Sequence, residues 1–576
     1  MKYLCIFLIT CSQKHQIQYL KKDSQILFKQ KAIEILDSEV DFSQLHIKEI
    51  TSEYEKEELL LDLLYKKIFK HQGGASYFLT GFIPQENEIQ TLLKDHQITP
   101  ELREQAKKYL EQTYLQKKFR IFINENFLKN PVTFYKKEPP QYSGDLSFIQ
   151  DQSKGSAKNT LTLFLNFGCG HCLHFLQETL PLLEKKFSSH ISFQFQSPFL
   201  YPQFSVIEEL HECSKEKKLY FAFQEYVFKN INEIQNPNFP ETLKNKFFLQ
   251  SCTDKKSIIK NKEEKIRQLA IFEAPVVFFN NNRYFRPLQD LEFFLQEQIQ
   301  KTPRFLYSQE NSQNLFVFKD ITVTKEEAKS LDLVLYKKDF AIFREKRELI
   351  LQNFVQKKVL EKYKKSLEDY LISQEPSISQ EEISVFLKNN NMENTPNLAL
   401  EAKKYISQQK KSEIYHKLKD TFLKESSSSL FLEQPLQPTR NFKEDLVVFF
   451  DFSCPESKNF FENKLPSLKK NFKSHSFRSI HKYPQLDILS QLVACSKNQE
   501  KTILSIFQQQ EFIAKNQSKF QDLEFQKELA KKVSSDEKCI PSVTNLEAER
   551  EQYKEIPHTP AVFMHQKFFM DFDYYF

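Results

Sequence analysis

The sequence predicts an α/β fold used twice, plus α: each copy follows a helical segment. Internal similarity, a strand–cysteine–helix stretch in both halves, and amphipathic helices ahead of each stretch are the observations behind it. "TPELREQAKKYLEQ" (Thr99 to Gln112) returns 296 positions later as "TPNLALEAKKYISQ" (Thr395 to Gln408). "NEIQTLLK" from Asn87 resembles "EEISVFLK" from Glu381. Cys169 and Cys454 lie 285 apart, each between a strand-like run and a helix, and "EAPVVFF" (Pro275) and "HTPAVFM" (Pro560) keep the same offset. Loop insertions explain the small drift, so one ancestral unit covers residues 25–302 and again 315–576.

The chain's 576 residues suffice for several domains of about 100–200 residues each. At 40% hydrophobic and 27% charged it has the makings of globular cores. The net charge of +6 is small, and Lys and Glu interleave, which describes solvated helix surfaces and not a nucleic-acid partner. Glycine is scarce: all 7 lie at or before Gly170, while Phe reaches 57 and Trp is absent. Turns must therefore be built from Asn, Pro, Ser and Lys. No run approaches the roughly 18 apolar residues that span a bilayer. The N-terminus "MKYLCIFLITCSQKHQ" has one basic residue and a short apolar run, then Leu8, Ile9 and Thr10 before Cys11. It resembles a bacterial lipoprotein signal over residues 1–11, with Thr10 where a smaller residue is usual. That resemblance implies export and lipidation of Cys11, and excludes the segment from the fold; the alternative is a buried N-terminal strand.

The helical segments are expected over 25–150 and 315–436. "EKEELLLDLLYKKIFKHQ" and "REKRELILQNFVQKKVLEKYKKS" carry apolar residues at i, i+3, i+4, i+7. Ser379 followed by Glu382 forms a capping-box pattern. The α/β parts are expected over 157–302 and 441–576. In the first, "TLTLFLNF" reads as a strand and "HCLHFLQETLPLLEKKF" as a helix. "ISFQFQSPF" is the next strand, a helical tract runs to about Leu269, and "PVVFFNN", "NRYF" and "LQDLEFFLQEQI" follow as strand, strand and helix. This is the element order of a thioredoxin fold with an inserted helical domain.

Residues Thr160 to Ile299 resemble the DsbA-like thiol-disulfide oxidoreductases: a CxxC at a helix start, the Leu180–Pro181 break, a helical insertion and a Pro-led strand. The second copy follows the same order. The helical segments resemble the N-terminal helices of SurA-type periplasmic chaperones, through element order and periodicity.

Cys169 at a helix N-terminus meets unpaired N–H groups and the helix dipole, which favour a thiolate. In CxxC motifs the pKa falls to about 3.5–7.5. Cys169 is therefore the expected attacking sulfur and Cys172 the resolving one. His171, when protonated, adds positive charge beside the thiolate. The sequence CGHC resembles the motif of protein disulfide isomerases. Pro275 stands where thioredoxin folds place a cis proline that positions substrate, with Ala274 before it. No metal or other cofactor is expected beyond the redox-active disulfide Cys169–Cys172; zinc held by Cys169, Cys172 and His174 would lack a fourth ligand.

The second copy reads Cys454, Pro455, Glu456, Ser457, with Pro560 downstream. Ser457 cannot close a disulfide, and Glu456 disfavours a neighbouring thiolate. It is either a degenerate domain kept for packing or client binding, or a monothiol. Of the 9 cysteines, Cys5 falls in the signal. Cys213–Cys252 and Cys495–Cys539 occupy matching places in the two insertions and are expected as structural disulfides. Each would close a loop worth up to about 4 kcal/mol, in an oxidising compartment.

The expectation is an exported oxidase or isomerase on the periplasmic side of the cell envelope, lipid-anchored to a membrane. Its partners would be unfolded or partly folded envelope proteins and a membrane redox protein. The rival is a non-catalytic chaperone or scaffold.

Overall fold

The computed structural model describes residues 17–19, 26–30, 33–95, 103–149, 153–198, 204–252, 255–311, 313–390, 392–425, 428–430, 432, 434–480, 487–494, 496, 498–510, 512, 523–533, 556 and 559–570. Cys5, Cys11, Cys495 and Cys539 lie outside these residues, and with them the expected lipidation site and second disulfide. In chain order the strands begin with β1 (Ile17–Tyr19), β2 (Ile26–Gln30), β3 (Ile33–Leu36) and β4 (Val132–Phe134). Next come β5 (Ser153–Lys154), β6 (Asn159–Phe164), β7 (Ile191–Gln196), β8 (Val276–Phe279) and β9 (Asn282–Tyr284). Then follow β10 (Phe305–Tyr307), β11 (Asn314–Phe318), β12 (Ile321–Thr324) and β13 (Ser428–Leu430). The last are β14 (Leu446–Phe450), β15 (His475–Ser479), β16 (Ala561–Met564) and β17 (Lys567–Phe569). The chain divides into two compact units, Phe42–Lys329 and Met1–Asp41 with Ser330–Phe576.

In the unit 42–329, the α/β part is a five-stranded sheet in the order β5-β7-β6-β8-β9. β6 runs parallel to β7 and antiparallel to β8, which is antiparallel to β9. A parallel neighbour cannot be reached by a hairpin. Helices Gly170–His174 and Leu180–Phe187, joined by a π-turn, make the β6-to-β7 crossover. Pro181 has no N–H to give a carbonyl four residues back, and the helix widens just before it. Side chains alternate across the sheet. Leu161, Leu163, Phe193, Phe195 and Val277 bury one face beneath the crossover and the helical insertion. Phe164, Val276 and Phe278 bury the other against Leu146, Ile149, Ile266 and Leu269.

The helical segment of this unit has long helices over Ser43–His71 and Arg103–Lys129, with the shorter Ala75–Phe78 and Glu86–Asp95 among the described residues between them. Buried ion pairs join the two long helices to the α/β part. Arg120 donates to both oxygens of Asp290 at 2.7 and 2.9 Å. Arg286 bridges Glu57 and Glu58, and Lys136 lies 3.0 Å from Glu57.

In the other unit the helices over Asp332–Tyr363, Leu367–Gln374, Gln380–Asn389 and Pro396–Lys424 repeat that plan. Ser379 and Glu382 form the capping box, with Glu382 N–H to Ser379 Oγ at 3.1 Å and Ser379 N–H to Glu382 at 2.8 Å. The α/β part has the sheet β15-β14-β16-β17, with β14 parallel to β15 and antiparallel to β16. These are the order and directions of β7-β6-β8-β9.

The segments expected to be helical also carry two further sheets, β1-β13-β2-β3 and β10-β4-β11-β12. The β2–β3 hairpin precedes the helix from Ser43, yet pairs with β13 after the helix ending at Lys424. The β11–β12 hairpin precedes the helix from Asp332, yet pairs with β4 after the helix ending at Lys129. Each copy's leading hairpin therefore completes a sheet in the unit that holds the other copy's helices. Phe134, Phe316 and Val323 bury the second of these sheets against Leu64, Ile68 and Phe127.

Candidate active site

Strand β6 continues into Asn166, Phe167 and Gly168, which turn the chain into the helix from Gly170. Gly168 holds φ at +82°, and a Cβ there would meet the Phe204 ring at 2.5 Å, so glycine is required. Cys169 is the N-cap: its N–H donates to the Asn166 carbonyl at 3.3 Å, and its sulfur accepts from the Cys172 N–H at 3.3 Å. The Cys169 thiol reaches the Ala274 carbonyl at 3.5 Å, where the Ala274–Pro275 peptide is cis. Pro275 thus stands beside the first cysteine, 106 residues away along the chain. Cys172, one turn on, is buried; Cys169 is partly exposed and His171 exposed. Both cysteines are free thiols.

The Cys169 thiol is brought down to about 6. The hydrogen bond from Cys172 is the largest cause, opposed by burial and assisted by the N–H groups of Cys172 and His171 and by the charge of His171. Cys172 is shifted strongly upward, by the same hydrogen bond and by burial. One sulfur is therefore prepared as thiolate and the other as thiol, the division of labour that dithiol–disulfide exchange needs.

His174 faces Glu178, with Nδ1 to Oε1 at 3.1 Å. Among the described residues no three His, Cys, Asp or Glu side chains are grouped to hold a metal ion. Cys213 and Cys252 form a disulfide with a Cα–Cα distance of 5.9 Å, tying the helix Ser205–Glu216 to the turn before Lys256–Gln268.

At the second site Cys454 is again an N-cap, with its N–H on the Asp451 carbonyl at 3.0 Å and its thiol on the Thr559 carbonyl at 3.2 Å. Thr559–Pro560 is cis. Ser457 is buried and its Oγ accepts from the Asp451 N–H at 3.3 Å, while Glu456 is exposed. The helix again passes through a π-turn, Phe460–Lys464, just before Leu465–Pro466. The two sites share a backbone and differ in their reactive groups.

A family model described as thioredoxin matches residues 154–301. Those residues are a thioredoxin-superfamily domain. The chain is similar to oxidised BdbD from Bacillus subtilis, with 20% identity over 28% of this chain and 97% of that one, at a TM-score of 0.22. It is likewise similar to alpha-DsbA1 of Wolbachia pipientis, with 20% identity over 26% of this chain and 89% of that one, at a TM-score of 0.22. No curated protein matches the sequence. The DsbA-like resemblance read from the sequence is thus met at the level of one domain of the thioredoxin superfamily.

Proposed function

We propose that the chain is a protein thiol-disulfide oxidoreductase working through Cys169 and Cys172. The observation that carries this reading is the pair's geometry: Cys169 at a helix N-cap, partly exposed and 3.5 Å from the carbonyl before cis Pro275, with Cys172 buried one turn on. When the pair is oxidised, a client thiolate attacks the Cys169 sulfur. The Cys169–Cys172 bond breaks, a client–Cys169 disulfide forms, and Cys172 leaves and takes up a proton. A second client thiolate then attacks the client's sulfur in that bond, which closes the client disulfide and releases Cys169 as thiolate. His171 adds charge at the thiolate, and Pro275 with the Ala274 carbonyl borders the place where a client strand would pair.

Residues 441–576 are, in this proposal, a second thioredoxin-like domain that has lost its resolving cysteine. Its sheet order and its paired Cys454 and Pro560 support that reading. The helical segments 25–150 and 315–436 and the second domain would hold unfolded or partly folded clients. The N-terminal resemblance supports export, cleavage between Thr10 and Cys11 that leaves a lipidated Cys11, and work at the periplasmic side of the envelope with a membrane redox partner. Among the described residues no helix is long and apolar enough to cross a membrane.

Insulin reduction and refolding of reduced ribonuclease by wild type and Cys169→Ser test the catalytic reading. Loss of both activities in the variant is expected; full activity in it would refute the proposal. The second reading, a chaperone without catalysis, draws on exposed apolar side chains of the helical segments, Ile83, Val385 and Leu400 among them. Prevention of client aggregation by a protein with no dithiol activity would favour it.

A further inference from the structure

The two small sheets are one structure built twice, and only their chain connections differ. Residues 17–39 align without gaps with residues 305–327, at an offset of 288. Tyr19, Leu27, Phe28, Ile33 and Glu39 recur as Tyr307, Leu315, Phe316, Ile321 and Glu327. At that offset β1, β2 and β3 coincide end to end with β10, β11 and β12, and β13 coincides with β4 at an offset of 296. The registers agree as well. Ile17 pairs with Ser428 as Phe305 pairs with Val132, and Phe28 pairs with Leu430 as Phe316 pairs with Phe134. The bulge between Ile26 and Phe28 returns between Asn314 and Phe316.

The side chains that hold the strands correspond too. Lys67 Nζ donates to the Thr322 carbonyl at 2.6 Å and lies 2.6 Å from Glu327. Lys357 Nζ donates to the Glu34 carbonyl at 2.9 Å and lies 2.6 Å from Glu39. Thr322 and Glu327 are the counterparts of Glu34 and Glu39 at the offset of 288. Gln30 adds a buried bond from Nε2 to the Phe422 carbonyl at 2.9 Å, and Ile35 and Leu430 are fully buried.

In the unit 42–329, β10, β11 and β12 belong to the same continuous stretch of chain as β4. In the other unit the equivalent strands are residues 17–36, which reach β13 only by way of the whole stretch 42–329. One geometry thus forms with two connections, so strand register, the lysine–glutamate contact and burial specify the docking, and chain continuity does not. β13 lies between β1 and β2, so residues 17–36 cover both of its edges. Without them β13 would present two rows of unpaired N–H and C=O groups, a template for another strand. Only Val40, Asp41 and Phe42 separate Glu39 from the helix that begins at Ser43. So short a hinge invites exchange between copies.

We propose that this sheet is an interaction surface for a second copy of the chain. Residues 17–36 of one copy dock on β13 of the other, and the exchange is reciprocal. Each copy then keeps every contact described for the sheet, and the pair closes with no edge of β13 left open. Within one copy the tether holds the strands at an effective concentration of roughly 1 mM. The internal arrangement therefore prevails in dilute protein and the exchanged pair at high concentration. None of this depends on the dithiol reading.

The test mixes isotopically heavy and light full-length protein one to one at about 1 mM, in urea short of global unfolding. After return to buffer, a zero-length carbodiimide joins lysine to carboxylate within ion pairs, and peptide mass spectrometry reads which copies each link joins. Lys67 and Glu327 lie in one continuous stretch, so their link should never be mixed. The Glu39–Lys357 link should be mixed in a dimer fraction, approaching half of all such links, and unmixed in the monomer fraction. The same treatment at about 1 μM, a thousandfold below the effective concentration, should yield no mixed links. Glu39–Lys357 links that stay unmixed at the higher concentration would overturn the proposal. Mixed Lys67–Glu327 links at an equal level would overturn it too, because they would mark random cross-linking.

Discussion

The two cysteine-bearing helix starts, at Cys169 and at Cys454, share nearly all of their backbone and little of their chemistry. Both cap a helix, both sit against the carbonyl that precedes a cis proline, and both helices pass through a π-turn before a Leu-Pro pair. They differ at Gly168 against Ser453, Gly170 against Pro455, His171 against Glu456 and Cys172 against Ser457, and Ala274 stands against Thr559 before the cis proline. The cis prolines, the Leu-Pro pairs and the buried strand residues recur in both copies, whereas the proposed redox chemistry rests on a handful of side chains that can be lost together. Ser457 retains the buried hydrogen bond to the Asp451 N–H, so the loss of a sulfur there leaves no orphaned polar group.

Substitutions that move one site toward the other test this comparison. Cys172→Ser gives the first site the second site's residue; turnover should fall to the uncatalysed rate while Cys169 accumulates mixed disulfides, seen as client adducts on non-reducing gels. Retained turnover would break the comparison. The next largest effect concerns anchoring. Arg286→Ala leaves the buried Glu57 without its guanidinium partner, and a destabilisation of about 3–5 kcal/mol is expected in urea unfolding. Arg440→Ala, at the more exposed pair with Asp332, should cost only about 0–1 kcal/mol.

Ser457→Cys runs the comparison in reverse. In the oxidised variant, peptide mapping should show Cys454 joined by a disulfide to the introduced cysteine. Two free thiols under oxidising buffer would mean that the second site no longer has dithiol geometry. A smaller effect is expected from pH. Because Cys169 is lowered to about 6, its thiolate fraction rises through that pH and is nearly complete by neutrality. Its alkylation rate should therefore plateau above about pH 7, where an ordinary thiol of pKa about 8.5 is still rising. His171→Ala removes the smallest of the causes and should slow alkylation at pH 6 by about twofold.

Much of this was legible in the sequence because the informative residues are chemically singular. A CxxC after an apolar strand, a proline before another, and their shared 285-residue offset point to one arrangement. The capping box at Ser379 and Glu382 was likewise readable from local pattern. The two small sheets were not. Strands such as β4, β10 and β13 have three residues each, too few to show a period, and their partners lie far away in sequence. Nor does any local pattern say that a hairpin will pair with the other copy's strand.

The most direct test of the central claim, that the chain holds one working dithiol site and one disarmed copy, is equilibration in glutathione redox buffers followed by site-resolved thiol counting. Cys169 and Cys172 should oxidise together as a single reversible two-electron couple, while Cys454 forms no intramolecular bond. A Cys169–Cys172 pair that stays reduced, or stays oxidised, across the whole accessible range of potential would contradict the account.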